Sequence, residues 1–263
     1  MKNPLTIFAR FLMLKPKKSF GQNFLKSKDI ARNIVELLDI KEDDVVIEIG
    51  PGLGALTEFL YQKPKKELIL IELDKEVFGL LEKNYKEATL INMDASELDL
   101  SALSDVKIIG NLPYNMYAKI LVNLIDQQSH ISKMVFMLQK EVAQRLITRS
   151  EDKSWLWAYV NTYFDVYYAF SVPGRFFYPV PKVVSGVIVF DKKPHIPDFD
   201  KNDYKAFLKK IFSNKRKMLK QKIVIEDKYA TRRADELSID DILNIYKTFS
   251  CLNKNTFTST PLL

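Results

Sequence analysis

Short apolar runs alternate with amphipathic stretches through most of the chain. Five of these runs are rich in β-branched and other apolar residues and have the length of buried strands: 45–49, 68–71, 90–92, 106–109 and 134–138. The segments between them place apolar residues at helical spacing, as residues 29–38 do. Strands that alternate with helices in this way predict an α/β fold built on a mostly parallel sheet.

The pattern changes toward the C-terminus. Residues 164–172 and 183–190 are predicted to be strands, which we place as an antiparallel pair at the sheet edge. Helices are predicted beyond residue 197, at 204–212, 217–223 and 239–249. We therefore expect four parts: an N-terminal extension (1–16, with Met13 as the natural start), an α/β domain (17–197), a small all-α domain (198–252) and a disordered tail (253–263).

Positive charge is concentrated in one stretch of the chain. The 263 residues carry a net charge of +7, and residues 201–233 alone hold 12 Lys or Arg against 3 acids. A segment this basic predicts contact with a polyanion. A solvated helix face that binds nothing remains the alternative.

Several classes of site are disfavoured by residues that are scarce. The single cysteine, Cys251, excludes an internal disulfide, and only two histidines, His130 and His195, are present. Metal sites built on histidine and Ser-His-Asp hydrolysis are therefore poor interpretations. No apolar run is long enough to span a bilayer. We expect a cytoplasmic protein with no metal and no membrane partner.

Polar or glycine residues follow the predicted strands at the point where each strand ends. The first strand runs into a glycine turn, residues 50–54, and the second ends at Glu72. A glycine turn lets a ligand approach the backbone closely, and a carboxylate in this position can accept from ribose hydroxyls. The turn is one residue tighter than in nicotinamide enzymes, which favours S-adenosylmethionine. We expect Asp74 to cap the following helix.

The fourth strand ends in Asn111-Leu112-Pro113-Tyr114, a combination that suits a flat base bearing an exocyclic amine. Asn111 can accept an N–H through its amide oxygen, and Tyr114 offers a ring face for stacking. Pro113 fixes φ and leaves a neighbouring carbonyl, that of Leu112 or its own, free to accept. An ordinary strand-to-helix turn is the alternative, since Asn and Pro favour turns as well.

Four motifs in the same order give the chain a family resemblance over about residues 17–250: 20–25 (Phe-Gly-Gln-Asn-Phe-Leu), 111–114, 173–185 and 212–217. It resembles the small-subunit (16S) rRNA adenine N6-dimethyltransferases. The resemblance implies a Rossmann-like class I methyltransferase fold. It assigns the S-adenosylmethionine pocket to Asn23, Leu25, Gly50, Gly52, Glu72, Asp94 and Asn111. It also implies that Phe177 stacks the target base opposite Tyr114.

The same resemblance implies dimethylation of two adjacent adenosines near the 3′ end of 16S rRNA, within an immature small ribosomal subunit. The enzyme would act as a monomer and contribute to ribosome biogenesis. Its RNA contacts would include Lys215, Arg216, Lys217 and Arg233. The chain departs from the family pattern at Trp157, Gly174 and Lys215.

Three other functions share parts of this pattern. A DNA adenine methyltransferase has the same Asn-x-Pro-Tyr motif. A large-subunit rRNA methyltransferase of the antibiotic-resistance type has nearly the same core, although the basic C-terminal helices favour the small subunit. A ribosome assembly factor that binds pre-30S particles is compatible with catalysis.

Overall fold

The structure is a computed structural model that describes residue 17 and residues 22–150, 152–196 and 198–257, with side chains described as far as residue 251. The predicted N-terminal extension, with its start at Met13, and residues 258–263 of the predicted tail lie outside the described residues.

The described strands are β1 (Phe24–Leu25), β2 (Val45–Ile49), β3 (Glu67–Ile71), β4 (Thr89–Ile91), β5 (Val106–Asn111), β6 (Ile131–Gln139), β7 (Phe164–Val172), β8 (Phe177–Tyr178) and β9 (Ser185–Lys192). Seven of them form one sheet in the order β4-β3-β2-β5-β6-β9-β7. Neighbouring strands from β4 to β6 are parallel, and β9 runs antiparallel to both β6 and β7. The predicted parallel sheet and its antiparallel edge are confirmed.

The described helices are α1 (Lys28–Glu36), α2 (Thr57–Gln62), α3 (Lys75–Asn84), α4 (Tyr117–Asp126), α5 (Lys140–Leu146), α6 (Trp155–Tyr163), α7 (Lys201–Phe212), α8 (Asp227–Ala230) and α9 (Ile239–Phe257). Side chains alternate between the two sheet faces, so that Ile47 and Ile108 join one apolar cluster while Val46 and Ile109 join another. The first cluster includes α4, α6 and α7, and the second includes α1, α2 and α3. Helices therefore cover both faces of the sheet.

A second, two-stranded sheet was not predicted. Strand β1 pairs with β8 in antiparallel fashion, which sets Leu25 opposite Phe177. The Lys26 N–H extends this pairing by donating to the Phe176 carbonyl over 2.8 Å. The N-terminal segment is thereby fixed against the proline-containing loop between β7 and β9.

The C-terminal helices share a core with the α/β region. An aromatic cluster joins the two across the predicted boundary at 197: Tyr159, Tyr163, Phe199, Tyr204, Phe207 and Tyr246. At its edge the Lys205 ammonium lies 2.7 Å from both carboxylate oxygens of Asp126, which also accepts from the Tyr159 hydroxyl. The small helical region is therefore built onto α6 and the end of α4.

Two C-terminal predictions were wrong in detail. The expected helix at 217–223 is a loop with one 3-10 turn, Leu219–Gln221. The Leu219 N–H donates to the Arg232 carbonyl over 2.9 Å, and the local bonds of Lys222 and Ile223 both end on the Leu219 carbonyl, so the segment forms a single turn and no continuous helix. The last helix runs on to Phe257, although we expected a disordered tail from residue 253. None of the helices in the described part of the chain has the length and apolarity to cross a membrane.

Candidate active site

A cavity of about 330 Å³ opens at the carboxyl ends of the parallel strands. It is lined by the loops that follow β2 to β5 and by the N-terminal segment 22–25. Parallel α/β sheets bind ligands at this edge. All the residues predicted to hold the cofactor line this one cavity: Asn23, Leu25, Gly50, Gly52, Glu72, Asp94 and Asn111. Leu112, Pro113 and Tyr114 line it as well.

The glycine turn after β2 forms one wall of the cavity. Gly50 and Gly52 have φ of +64° and +53°, in the left-handed region that residues with a Cβ rarely adopt. The turn also brings the Gly52 N–H to 3.2 Å from a carboxylate oxygen of Glu72. The backbone is thus exposed to a ligand and is fixed to the neighbouring strand end.

Glu72 is a buried acceptor at the end of β3. Its other carboxylate oxygen accepts the Asp74 N–H over 2.9 Å. Burial raises the pKa of Glu72, although the N–H groups of Asp74 and Gly52 act in the opposite direction. A carboxylate oxygen can accept more than one hydrogen bond, so Glu72 can also receive ribose hydroxyls.

Two aspartates follow β3 and β4. Asp74 caps α3 by accepting the Glu76 N–H over 3.0 Å, which confirms the predicted cap, and it also accepts from Lys17 and Gln22. Asp94 accepts the Ser96 N–H over 2.8 Å at the start of a 3-10 turn. Burial works against its ionisation, but the hydrogen bonds from Ser96 outweigh burial and lower the pKa of Asp94. Asp94 therefore offers the cavity an ionised acceptor.

Asn111 is the last residue of β5, and its amide is held in one orientation. The side-chain N–H donates to the Asn23 carbonyl over 3.0 Å. The amide oxygen accepts no hydrogen bond from the described part of the chain, so it is available to a ligand. The segment that lines the cofactor cavity therefore also orients the predicted catalytic acceptor.

The structure distinguishes the two alternative carbonyl acceptors, those of Leu112 and Pro113, by their existing hydrogen bonds. The Pro113 carbonyl already accepts the N–H groups of Met116 and Tyr117, over 3.0 and 3.1 Å, at the start of α4. The Leu112 N–H is bonded to the Met137 carbonyl, while the Leu112 carbonyl has no hydrogen bond within the described residues. The Leu112 carbonyl is therefore the one of the two that is available to a ligand, and the Pro113 carbonyl is used at the start of α4.

Tyr114 is half-buried and fixed through its hydroxyl. That oxygen lies 3.0 Å from the hydroxyl of Ser185, the first residue of β9, and the two share a hydrogen bond. Burial raises the pKa of Tyr114, so the phenol stays neutral. The expected structural role of Ser185 is confirmed, because it holds the ring at the cavity wall.

The predicted stacking role of Phe177 does not agree with this structure. Its ring is 0% exposed, lies in an apolar cluster with Leu25 and Val187, and does not line the cavity. The pairing of β1 with β8 turns this side chain into the core. Of the flanking aromatics, Phe176 is half-buried and Tyr178 is exposed.

A further cavity residue was missed by the sequence prediction. Glu48 lies within β2, is 1% exposed and lines the cavity. It accepts the Thr57 hydroxyl over 2.6 Å. An acidic residue inside an otherwise β-branched strand was the available signal, because an unpaired carboxylate is rarely buried without a purpose.

The predicted RNA-contacting residues lie on an exposed part of the C-terminal region. Residues 213–218 are all exposed, and so is Arg233. Lys215 pairs with Asp152 over 2.7 Å, whereas the side chains of Arg216 and Lys217 form no hydrogen bond or ion pair with the described residues. Many other cations of residues 201–233 contact protein groups, as Lys205 contacts Asp126. Fewer positive charges are therefore available to a polyanion than the formal charge of this segment suggests.

The cavity fits S-adenosylmethionine by the chemistry of its walls. Glu72 can accept the ribose diol, Asp94 can accept an exocyclic N–H, and Met93 and Ala95 add apolar contacts. No group of three or more His, Cys, Asp or Glu residues that could hold a metal occurs in the part of the chain searched, which is limited to the described residues.

Known families and proteins match most of the length of this chain. The family model for ribosomal RNA adenine dimethylase matches residues 13–251. Ribosomal RNA small subunit methyltransferase A of Hydrogenobaculum sp. (strain Y04AAS1) is 74% identical over 95% of this chain and 100% of its own length. The protein of the same name from Persephonella marina (strain DSM 14350 / EX-H1) is 44% identical over 88% of this chain and 93% of its own length.

Two solved structures share the fold. A dimethyladenosine transferase from Plasmodium falciparum has a TM-score of 0.75 and 23% identity, covering 86% of this chain and 97% of its own. The 23S rRNA methyltransferase ErmE has a TM-score of 0.69 and 19% identity, covering 86% of this chain and 99% of its own. The Rossmann-like fold with a helical C-terminal region is thus confirmed. Because the family model matches residues 13–251 and these relatives are up to 74% identical, the chain belongs to the ribosomal RNA adenine dimethylase family of S-adenosylmethionine-dependent methyltransferases.

Proposed function

We propose that this enzyme transfers methyl groups from S-adenosylmethionine to N6 of two adjacent adenosines near the 3′ end of 16S rRNA. Its substrate is the RNA within an immature small ribosomal subunit, and it acts as a cytoplasmic monomer that contributes to ribosome biogenesis. The observation that carries the proposal is the pair of acceptors at the cavity wall, the Asn111 amide oxygen and the Leu112 carbonyl.

Two acceptors side by side address the weakness of the adenine amine as a nucleophile. Its lone pair is delocalised into the ring, and acceptors at Asn111 and Leu112 pull the nitrogen toward tetrahedral geometry and localise that pair. S-adenosylmethionine supplies an activated sulfonium methyl when it is bound. The residues therefore act mainly by positioning, and no strong general base is required.

The extruded base needs a flat surface, and Tyr114 provides one. A base stacked on an aromatic side chain gains roughly 1–3 kcal/mol. Since the Tyr114 hydroxyl is tied to Ser185, the ring loses little freedom when a base arrives. Phe177 supports this site from within the core, by packing against Leu25, and does not face the base.

Replacing Asn111 by Ala tests the acceptor directly. Methyl transfer should fall by roughly 10²–10³-fold, the usual cost of removing one positioned hydrogen-bonding group. Donor affinity should change little, because Glu72 and Asp94 remain. Both quantities are measured, by methyl uptake into small-subunit RNA and by calorimetry.

Asn115→Ala is the matched control for this variant. Asn115 lies four residues further on, lines the same cavity and is exposed, so its loss should leave turnover almost unchanged. Normal turnover by Asn111→Ala would discard the proposed mechanism.

The basic loop is tested by removing Lys215, Arg216 and Lys217 together. Each phosphate contact contributes about 0.7 to the salt slope for single-stranded nucleic acid. Lys215 is partly neutralised by Asp152, so the slope should fall by roughly 1–2. The measurement is RNA affinity against salt concentration.

A matched triple substitution removes the exposed cations Lys41, Lys66 and Lys86. They precede β2, β3 and β4 and so lie at the sheet edge opposite the cavity. If this control lowers the slope as much as the loop variant, the C-terminal charge is only a solvated face.

Mass mapping of RNA treated with the enzyme and labelled donor separates the related activities. Dimethyladenosine at two adjacent positions of small-subunit RNA supports the proposal. Label in large-subunit RNA or in DNA would assign the enzyme to one of the other methyltransferase classes. A catalytically inactive Asn111 variant that still binds pre-30S particles would add an assembly role without opposing catalysis.

A further inference from the structure

Four large apolar or aromatic side chains are exposed on the loop that joins β7 to β9. They are Tyr178, Val180, Val183 and Val184, and Val180 is 64% exposed. Single apolar residues at a surface are ordinary, whereas several within one short loop mark a binding surface. The mechanism described above uses none of them. We refer to these four residues as the loop surface.

The loop surface borders the cavity at two points. Tyr178 is the register partner of Phe24, which lines the cavity, and such opposed residues lie on the same face of an antiparallel pair. Val184 directly precedes Ser185, whose hydroxyl shares a hydrogen bond with that of Tyr114. When a base rests against Tyr114, the next nucleotide of the same strand therefore lies beside the loop surface.

Backbone contacts fix the shape of this loop. Strand β8 is held against β1, and the Lys140 N–H donates to the Val184 carbonyl over 2.9 Å at the other end. Gly174 lets the two arms of the loop meet, since a Cβ at this position would lie 3.0 Å from the Pro181 carbonyl oxygen. The loop surface is therefore preformed, and a ligand that binds it need not order the backbone first.

Charge and residue type favour RNA as the partner of this loop. Residues 173–184 contain no acid and include two exposed cations, Arg175 and Lys182. The Arg175 guanidinium lies over the Phe176 ring, 4.8 Å from its centre. Surfaces that bind single-stranded nucleic acid combine cations for the phosphates with aromatic side chains on which bases stack. Residues 173–184 supply both kinds of side chain.

We propose that the loop surface seats the nucleotide next to the target adenosine, with its base stacked on Tyr178 and covered by the valines. The proposal rests on the proposed function, since it takes the substrate to be RNA with two adjacent target adenosines. Extrusion of one adenosine into the cavity removes a stacking partner from its neighbour. The loop surface replaces that partner, so the second adenosine is held at the cavity mouth while the first is methylated.

Fluorescence of 2-aminopurine tests the stacking, because the emission of this base falls when it stacks. A single-stranded RNA with two adjacent adenosines, one of them replaced by 2-aminopurine, is titrated with the enzyme in the presence of S-adenosylhomocysteine. The analogue has no amine at position 6, so Asn111 and Leu112 favour the adenosine in the cavity and leave the analogue to the loop. The wild type should quench the emission, and Tyr178→Ala should lose the quench and bind roughly tenfold more weakly.

Tyr167→Ala is the matched control for the loss of the tyrosine ring. Tyr167 is 43% exposed against 45% for Tyr178, but it lies in the middle of β7, away from the cavity end of that strand. This control and Tyr178→Phe, which keeps the ring, should both retain the quench and the affinity. Val180→Ser should weaken binding to a smaller extent, whereas Val224→Ser, at an exposed valine of the C-terminal region, should not.

Equal quench and equal affinity for the wild type and Tyr178→Ala would overturn the proposal. So would a loss of affinity for unmethylated small subunits without any change in quench, because the loop would then bind a ribosomal protein. Methyl transfer is measured separately on small-subunit RNA. A quench that depends on Tyr178 without methyl transfer would refute only the proposed function, whereas dimethylation without such a quench would refute only the role of the loop surface.

Discussion

Raising the pH from about 5 to 9 should destabilise the donor-free protein through one side chain, Glu48. In the unfolded chain its carboxyl ionises near the ordinary value of 4.5, whereas burial raises the pKa to about 8 in the folded protein. Between these two values the folded state binds a proton that the unfolded state has lost. The free energy of unfolding therefore falls as the pH rises through this window, and levels off above it.

The size of the effect follows from the gap between the two states. Each pH unit of such a gap is worth about 1.4 kcal/mol, so the contribution of Glu48 is on the order of 4–5 kcal/mol across the window. Burial also raises the pKa of Glu72, so ionisation of Glu72 lowers the free energy of unfolding further as the pH rises. Hydrogen bonds lower the pKa values of Asp74 and Asp94, which act at lower pH and in the opposite direction.

Chemical denaturation of the wild type and of Glu48→Gln, at about one-unit pH intervals, isolates this side chain. The two proteins should be of similar stability near pH 5, and the variant should be the more stable by several kcal/mol near pH 9. Glu87→Gln, at an exposed carboxylate before β4, should follow the wild type throughout. Parallel curves for the wild type and Glu48→Gln would refute the reasoning.

Two further predictions concern the frame around the site. Asp126→Ala removes the partner of both the Lys205 ammonium and the Tyr159 hydroxyl. It should lower the free energy of unfolding by about 3 kcal/mol, as measured by denaturant titration. The control is Asp165→Ala, which removes the exposed ion pair with Lys193 and should lower the free energy of unfolding by less than about 0.5 kcal/mol. In Gly110→Ala the new Cβ would lie 2.5 Å from the Ile49 carbonyl oxygen, so one of the two strands must shift. The free energy of unfolding should fall by about 2 kcal/mol or more, and donor binding measured by calorimetry should weaken. An unchanged donor affinity would show that the strand end at the cavity does not shift.

Much of the fold and of the donor site could be predicted because the signals are local. Apolar runs of strand length predict the strands of the sheet. The polar residue at the end of a run predicts a side chain in the cavity wall, as Glu72 and Asn111 show. The cap at Asp74 follows from residue type and position alone. Each of these depends on a few neighbouring residues, so the sequence contains what is needed.

The errors occur where a residue's role depends on distant partners. The Pro113 carbonyl is already hydrogen-bonded because α4 begins a few residues later. Phe177 is buried because β8 pairs with β1, which is about 150 residues away in the sequence. Residues 217–223 have helical periodicity, but the Leu219 N–H bonds to Arg232. The partners of Glu48 likewise come from α2 and β3, and its acidic residue type within an apolar strand was the one local signal for its burial.

The aromatic cluster shared by α6 and α7 constrains how such an enzyme can diverge. A chain cut after residue 197 would expose Tyr159 and Tyr163 to water, so we expect that the α/β region is not stable without the C-terminal helices. Exchanging C-terminal regions between relatives should succeed only when the matching face of α6 is exchanged as well. A lineage that acquires a new RNA target through its last helices must therefore keep, or rebuild, the surface on which those helices are seated.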